Sequence, residues 1–220
     1  MMHLEEADLI AVYDAGDGAR PARQAAALLE ALRPGEDVSF MELGDRDRLL
    51  WAFKRTQFGR GTQMMAKVQC SGCGEWAALH LGDGFELPQK VSEDVSVLFD
   101  GKDWALRLPR QGDLGRQGFS PSVLNTKAPW DDPAFARVAE AAIDAADPAI
   151  DVVFDVTCAE CGSVTESALD VVGMVWADVE AAAQRAFSDV ALLAQNFGWT
   201  EEQTLALSPR RRARYLEMLA

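Results

Sequence analysis

All four cysteines of this chain fall in two Cys-x-x-Cys pairs, Cys70-Ser71-Gly72-Cys73 and Cys158-Ala159-Glu160-Cys161, each followed by a glycine, Gly74 and Gly162. Two thiolates separated by two residues can grip one ion while the backbone turns around it. A glycine next in line accepts positive φ and lets amide N–H groups approach the sulfurs. Two such knuckles, each at the end of a hairpin, predict one tetrahedral four-sulfur site of the zinc-ribbon kind. Cys70, Cys73, Cys158 and Cys161 are therefore read as ligands of one structural Zn2+. Four protein thiolates leave no open coordination position, which makes the site a staple rather than a catalytic centre. Three other readings of the same thiols stay open. An iron–sulfur cluster takes the same ligands. Thioredoxin-like exchange is disfavoured, because neither pair opens a helix within a βαβ pattern. The last is unligated thiols.

The spacing between the knuckles is unusual. Roughly 84 residues lie between Cys73 and Cys158, where simple ribbon motifs leave about 15–20. The gap must hold an inserted subdomain. A metal that closes so long a loop stabilises the fold by restricting the unfolded chain.

The compartment decides between metal and disulfide. Met1 to Asp8 is polar and acidic, without the basic start and apolar run of a signal peptide. No apolar stretch approaches the roughly 20 residues of a membrane span. The chain reads as cytoplasmic, where thiols stay reduced and paired cysteines point to metal. With 35 acidic and 21 basic residues the net charge is −14. That charge repels nucleic-acid backbones and anionic lipid heads, so neither is an expected partner of the whole protein.

Periodicity divides the chain into helical ends and a strand-rich middle. Leu9, Ile10, Val12 and Tyr13 open an amphipathic helix that stops near Gly16 and Gly18. Pro21 starts a second helix carrying Ala25, Ala26, Leu28, Leu29 and Leu32, which Pro34-Gly35 ends. Asp45 suits the cap of a third, with Leu49, Leu50 and Phe53, closed by Gly59 and Gly61. Strands then flank each knuckle: Met65–Gln69 with Trp76–Leu81, and Ile150–Val156 with Ser163–Leu169. Between them lie a hairpin, Val95–Phe99 with Trp104–Leu108 around Asp100-Gly101-Lys102-Asp103, a loop from Gln111 to Trp130, and a helix from Asp132 to Ala145. A long helix runs from Val172 to Phe197, with Gly198 as its C′ residue. Thr200 and Gln203 form a capping box, and Ser208-Pro209 starts the terminal helix. The expected fold is α+β. It has an N-terminal helical region (1–62), a split zinc ribbon with an inserted α/β subdomain (63–171) and C-terminal helices (172–220).

Catalysis finds no support in the sequence. The two histidines, His3 and His80, read as surface residues, and no Walker loop, GxGxxG or GxSxG motif is present. The chain is expected not to be an enzyme. The terminal helix is more distinctive. Arg210, Arg211, Arg212 and Arg214 cluster at the end of an acidic chain, beside Tyr215, Leu216 and Leu219. One reading is a solvated face with arginines paired to nearby acids. The other is a docking helix whose arginines form the polar rim around Tyr215 and Leu216, with Trp199 as an aromatic anchor.

The ordered features resemble the small zinc-ribbon baseplate proteins encoded with contractile phage tails and phage-tail-like injection systems, the T-even-like baseplate hub assembly chaperone family. The resemblance rests on Gly44-Asp45-Arg46-Asp47, Leu49-Leu50 and Phe58-Gly59, and on Cys73-Gly74-Glu75. It continues through Trp104-Ala105-Leu106-Arg107-Leu108-Pro109 with Asp113-Leu114, and Asp147-Pro148 with Asp151. It is closest in the tail, from Phe197-Gly198-Trp199-Thr200-Glu201 through Leu207-Ser208-Pro209 to Tyr215-Leu216-Glu217. Family knuckles often carry Pro between the cysteines, where this chain has Ser71-Gly72 and Ala159-Glu160. The resemblance implies a non-enzymatic assembly chaperone or structural adaptor, with a baseplate hub or spike component as partner. A zinc-ribbon nucleic-acid-binding or transcription-associated protein is the alternative. That role needs a basic stripe beside the ribbon, and the only basic cluster is in the tail.

Overall fold

The computed structural model describes residues 3–59, 64–82, 84–115 and 118–219. Its class is α+β, with helices at both ends and three two-stranded antiparallel sheets among the described residues. Three helices come first: α1 (Glu6–Gly16), α2 (Pro21–Leu32) and α3 (Leu43–Gln57). The first knuckle hairpin follows, β1 (Met64–Gln69) with β2 (Trp76–Leu81). The insertion holds β3 (Val95–Phe99), β4 (Lys102–Leu106) and α4 (Pro133–Ala146). The second knuckle hairpin is β5 (Val153–Thr157) with β6 (Val164–Ala168). The chain ends in α5 (Val171–Phe197), α6 (Glu201–Leu205) and α7 (Pro209–Glu217).

The helical ends share one core. In α5 the buried positions Val171, Val175, Val179, Ala183 and Ala186 recur every three or four residues, so one stripe faces inward along the helix. Leu9 and Val12 of α1, Leu28 and Leu29 of α2, and Leu50, Trp51 and Phe53 of α3 pack into the same cluster. Gly16 lets α1 approach α5, since a Cβ there would lie 2.5 Å from the Trp176 ring. Tyr13 stacks on that ring, centroids 6.1 Å apart. Lys54 donates to the Asp178 carboxylate and pins α3 to α5. The regions 1–62 and 172–220, separate in sequence, thus bury their apolar faces against each other.

The insertion has a second, smaller core. Val95 and Val97 of β3, Leu106 of β4, Leu108, Leu124 and the α4 residues Phe135, Ala139 and Ile143 form it. Phe135 is its hub, with Phe99, Trp104 and Trp130 packed edge-on around the ring. Asp100 and Gly101 both take positive φ, 49° and 71°, which makes the hairpin turn two residues long. As a result β4 starts at Lys102, earlier than the hydrophobic pattern indicated, and Leu108 lies beyond its end.

Charged side chains join the two cores. The sequence places the α3 cap at Asp45, but the helix begins earlier, with Glu42 as N-cap. Asp45 is instead drawn into ion pairs with Arg48 and Lys90, at 2.7 and 2.9 Å. Arg48 also grips the fully buried Asp147 with both terminal nitrogens, at 2.7 and 2.8 Å. Gly44 makes room for that carboxylate; a Cβ there would sit 2.0 Å from its oxygen. Gln111 donates to the Ala22 carbonyl and accepts from Arg46, while Arg107 pairs with Asp113 at 2.7 Å. Asp47 is paired to Arg46, yet burial wins and its carboxyl is pushed above the usual Asp range. The short 3₁₀ turns at Val38–Phe40 and Gln111–Asp113 lie against each other at this seam, linked by the Gln111 amide donating to Met41.

Candidate metal centre

Each hairpin ends in the same turn. The Cys70 amide donates to Glu75 and the Gly74 amide to Cys70, at 2.8 and 2.9 Å. In the second knuckle the Cys158 amide donates to Ser163 and the Gly162 amide to Cys158, at 2.9 and 3.0 Å. Gly74 and Gly162 take the left-handed conformation, φ 79° and 72°, which a side chain would disfavour. The glycine after each pair is therefore a backbone requirement, as the sequence indicated.

The two knuckles face each other. β1 packs beside β6 and β2 beside β5, which brings the four Sγ atoms within 4.8 Å of one another. Across the knuckles Cys70 and Cys161 lie 3.6 Å apart and Cys73 and Cys158 lie 3.7 Å apart. Both far exceed the roughly 2.05 Å of a disulfide. The described structure thus brings Cys70, Cys73, Cys158 and Cys161 into one cluster able to hold a metal ion. Cys70 and Cys158 are buried, and Cys73 and Cys161 face outward.

Contacts between the knuckles fix the cluster, and these the sequence did not flag. The Ser71 amide donates to the Thr165 hydroxyl at 3.0 Å, and the two hydroxyls lie 3.1 Å apart. Gly72 stands against the other knuckle; a Cβ there would lie 2.4 Å from the Ser163 hydroxyl and 3.5 Å from the Cys161 sulfur. The Gly72 amide donates to the Cys70 sulfur at 3.3 Å. The absence of Pro between Cys70 and Cys73 thus has a local reason. Position 72 needs both a free N–H and no side chain.

The electrostatics favour a cation. Amides of Cys73 and Gly72 lower the Cys70 thiol to about 6. The Glu75 amide favours the Cys73 thiolate too, but the crowding sulfurs of Cys161, Cys158 and Cys70, with burial, push that thiol up to about 12. Ser163 lowers Cys161 through its hydroxyl and its amide. Sulfurs this close cannot all carry negative charge alone, and a bound cation removes the conflict.

The C-terminal residues divide. Gly198 caps α5 with φ 68°, and Thr200 and Gln203 make the capping box. Ser208 is the N-cap of α7, although its side chain makes no capping bond. Trp199 folds back on Phe197 and meets Tyr215 edge-on, centroids 5.3 and 4.9 Å apart. Arg210, Arg211 and Arg214 are exposed, and Tyr215 and Leu216 are half-buried. Arg212 corrects the reading of four rim arginines: it is fully buried. Its guanidinium pairs with Glu6 of α1 and Asp189 of α5 and donates to the Leu207 carbonyl at 3.1 Å. A helix that docks on the body must turn one face inward, and position 212 is on that face. The residue is a latch and belongs to no docking rim.

His3 is exposed at the mouth of a cavity of about 820 Å³ between α1, α5 and α7. The backbone of His80 pairs with Met65 across the first hairpin. The surface placement expected of its side chain, and the closing role given to Gly61, lie outside the described residues. No described helix is long and apolar enough to cross a membrane. Comparison with protein-family models, with curated proteins and with solved structures found no match to this chain.

Proposed function

We propose that the protein is a zinc-stabilised adaptor or assembly chaperone for a hub or spike component of a contractile-tail or injection-system baseplate, acting without catalysis. Zinc fits the separations between the sulfurs. A tetrahedral ion with bonds of about 2.3 Å puts its sulfur ligands about 3.8 Å apart, close to the 3.6 and 3.7 Å separations between knuckles. The ion would join the two ends of the insertion and hold both hairpins against the helical body.

The observation that carries the adaptor reading is the C-terminal unit. Arg212 anchors it to α1 and α5, while Trp199, Arg210, Arg211, Arg214 and Tyr215 are left on the outer side. The resemblance supports the same reading. Its stretches Gly44–Asp47 and Asp147 lie at the seam between the cores, and Trp104, Leu106 and Leu108 pack into the smaller core. The test is co-expression with a hub or spike protein of a contractile-tail or injection-system baseplate. Co-purification, and loss of soluble partner when this chain is omitted, is the expected result. A partner that stays soluble and unaltered without it would sink the chaperone reading.

A further inference from the structure

The arginines of α7 sort by partner. Arg212 takes two carboxylates, whereas Arg210, Arg211 and Arg214 form no ion pair among the described residues. In a chain with 35 acidic and 21 basic residues, α7 reverses the charge locally, with three unpaired arginines against Glu217, while the exposed Glu201 and Glu202 lie on α6. Arg211 and Tyr215 are one turn apart and share a face. Together with Trp199, Gln203 and Leu207 they line a groove of about 270 Å³. Sites for drug-sized ligands run from about 300 to 1,000 Å³. This one is sized for a single large side chain. Its walls are the indole, the phenol ring and a leucine, and a guanidinium stands at its edge. Around it the exposed apolar residues Phe197, Met218 and Leu219 widen the contact area.

We propose that this surface binds an acidic segment of a protein partner: one apolar side chain fills the Trp199–Tyr215 groove, and flanking carboxylates pair with Arg211, Arg210 and Arg214. The proposal rests on the adaptor reading for its premise that this end docks a partner, and adds the chemistry of that partner. A guanidinium fork matches a carboxylate through two parallel hydrogen bonds. Tyrosine, tryptophan and arginine are also the side chains that dominate protein contacts when they surround a pocket. A short acidic segment stays within the reach of these arginines. A duplex carries one charge per about 1.7 Å and would extend from them over a body of net charge −14.

The test uses the full, metal-loaded chain and fluorescein-labelled peptides read by anisotropy. The first probe is a short peptide of Glu and Asp around one Phe, the second has Ser for Phe, the third has Lys for the acids, and a labelled DNA oligonucleotide is the fourth. Saturable binding of the first is expected, at least about tenfold tighter than of the second or third, and weaker as salt rises. Arg211→Glu should weaken it at least about tenfold, while Arg137→Glu on α4 leaves it unchanged. Equal binding of the Ser peptide, tighter binding of the oligonucleotide, or an unaltered Arg211→Glu would each overturn the proposal. Failure here with successful co-purification removes this site and keeps the adaptor reading. Peptide binding without co-purification keeps the site and removes the baseplate partner.

Discussion

The two cores are built in opposite ways. The larger one joins α1, α2 and α3 to α5, elements from the two ends of the chain. The smaller one, around Phe135, uses residues between Val95 and Ile150. Local contacts cost little loop entropy, so the insertion can order from its own sequence. The larger core must close the whole chain first. Between them stands the charged seam of Arg48, Asp147 and Lys90, and the metal knuckles flank the insertion in sequence. The knuckles bring the two ends of the insertion together, and the seam sets how the small core sits on the large one.

Five perturbations test that contrast. The largest effect should follow loss of the metal. Closing a loop this long is worth about 4 kcal/mol, and ligation adds to it. Cys158→Ser or a chelator should therefore lower the melting temperature by roughly 10 °C or more. One metal ion per chain by elemental analysis, with that loss, is expected; melting unaltered by the chelator would leave the sulfurs with no stapling role. Next comes Phe135→Ala, at about 3–5 kcal/mol. Hydrogen exchange should then rise in β3, β4 and α4 before it rises in α5. Uniform loss of protection would show that the cores do not open separately.

Asp147→Ala takes from Arg48 its fully buried partner, leaving it Asp45 and the Pro88 carbonyl, and should cost about 2 kcal/mol. Replacing both partners with apolar residues should recover much of it, measured by denaturant unfolding. The arginines of α7 give a sharper internal control. Arg212→Met should destabilise by about 2 kcal/mol, because Glu6 and Asp189 lose a shared partner. Arg211→Ala should change stability by less than about 0.5 kcal/mol. Equal effects would contradict the division between latch and rim.

The smallest effect is a pH slope. Arg107, hydrogen-bonded to Asp113, holds that carboxyl below the usual value of 3.8. The folded state therefore favours the charged form. The stabilisation is fully present above the ordinary value and is lost as the pH falls through the lowered folded one. Asp113→Asn should flatten this part of the acid limb of a melting-temperature profile, and an unchanged limb would remove the pair from the seam's contribution.

The local chemistry is written in neighbouring residues. Spacing within Cys-x-x-Cys-Gly specifies a turn that presents two sulfurs, because the atoms involved are neighbours in the chain. The same holds for Gly198 ending α5, the Thr200–Gln203 box, and the hairpin and helix of the insertion, whose periods of two and 3.6 residues are written in consecutive positions. Which surfaces meet is settled by long-range packing. That α1 lies on α5, that Asp147 is the buried mate of Arg48, that Gly72 gives way to Ser163, and that Arg212 turns inward while Arg211 turns out all depend on contacts across long separations. In the string Arg210-Arg211-Arg212 the side chains are chemically identical. Their roles differ because the helix sets each about 100° from the last, and the position of Glu6 and Asp189 selects which one is buried.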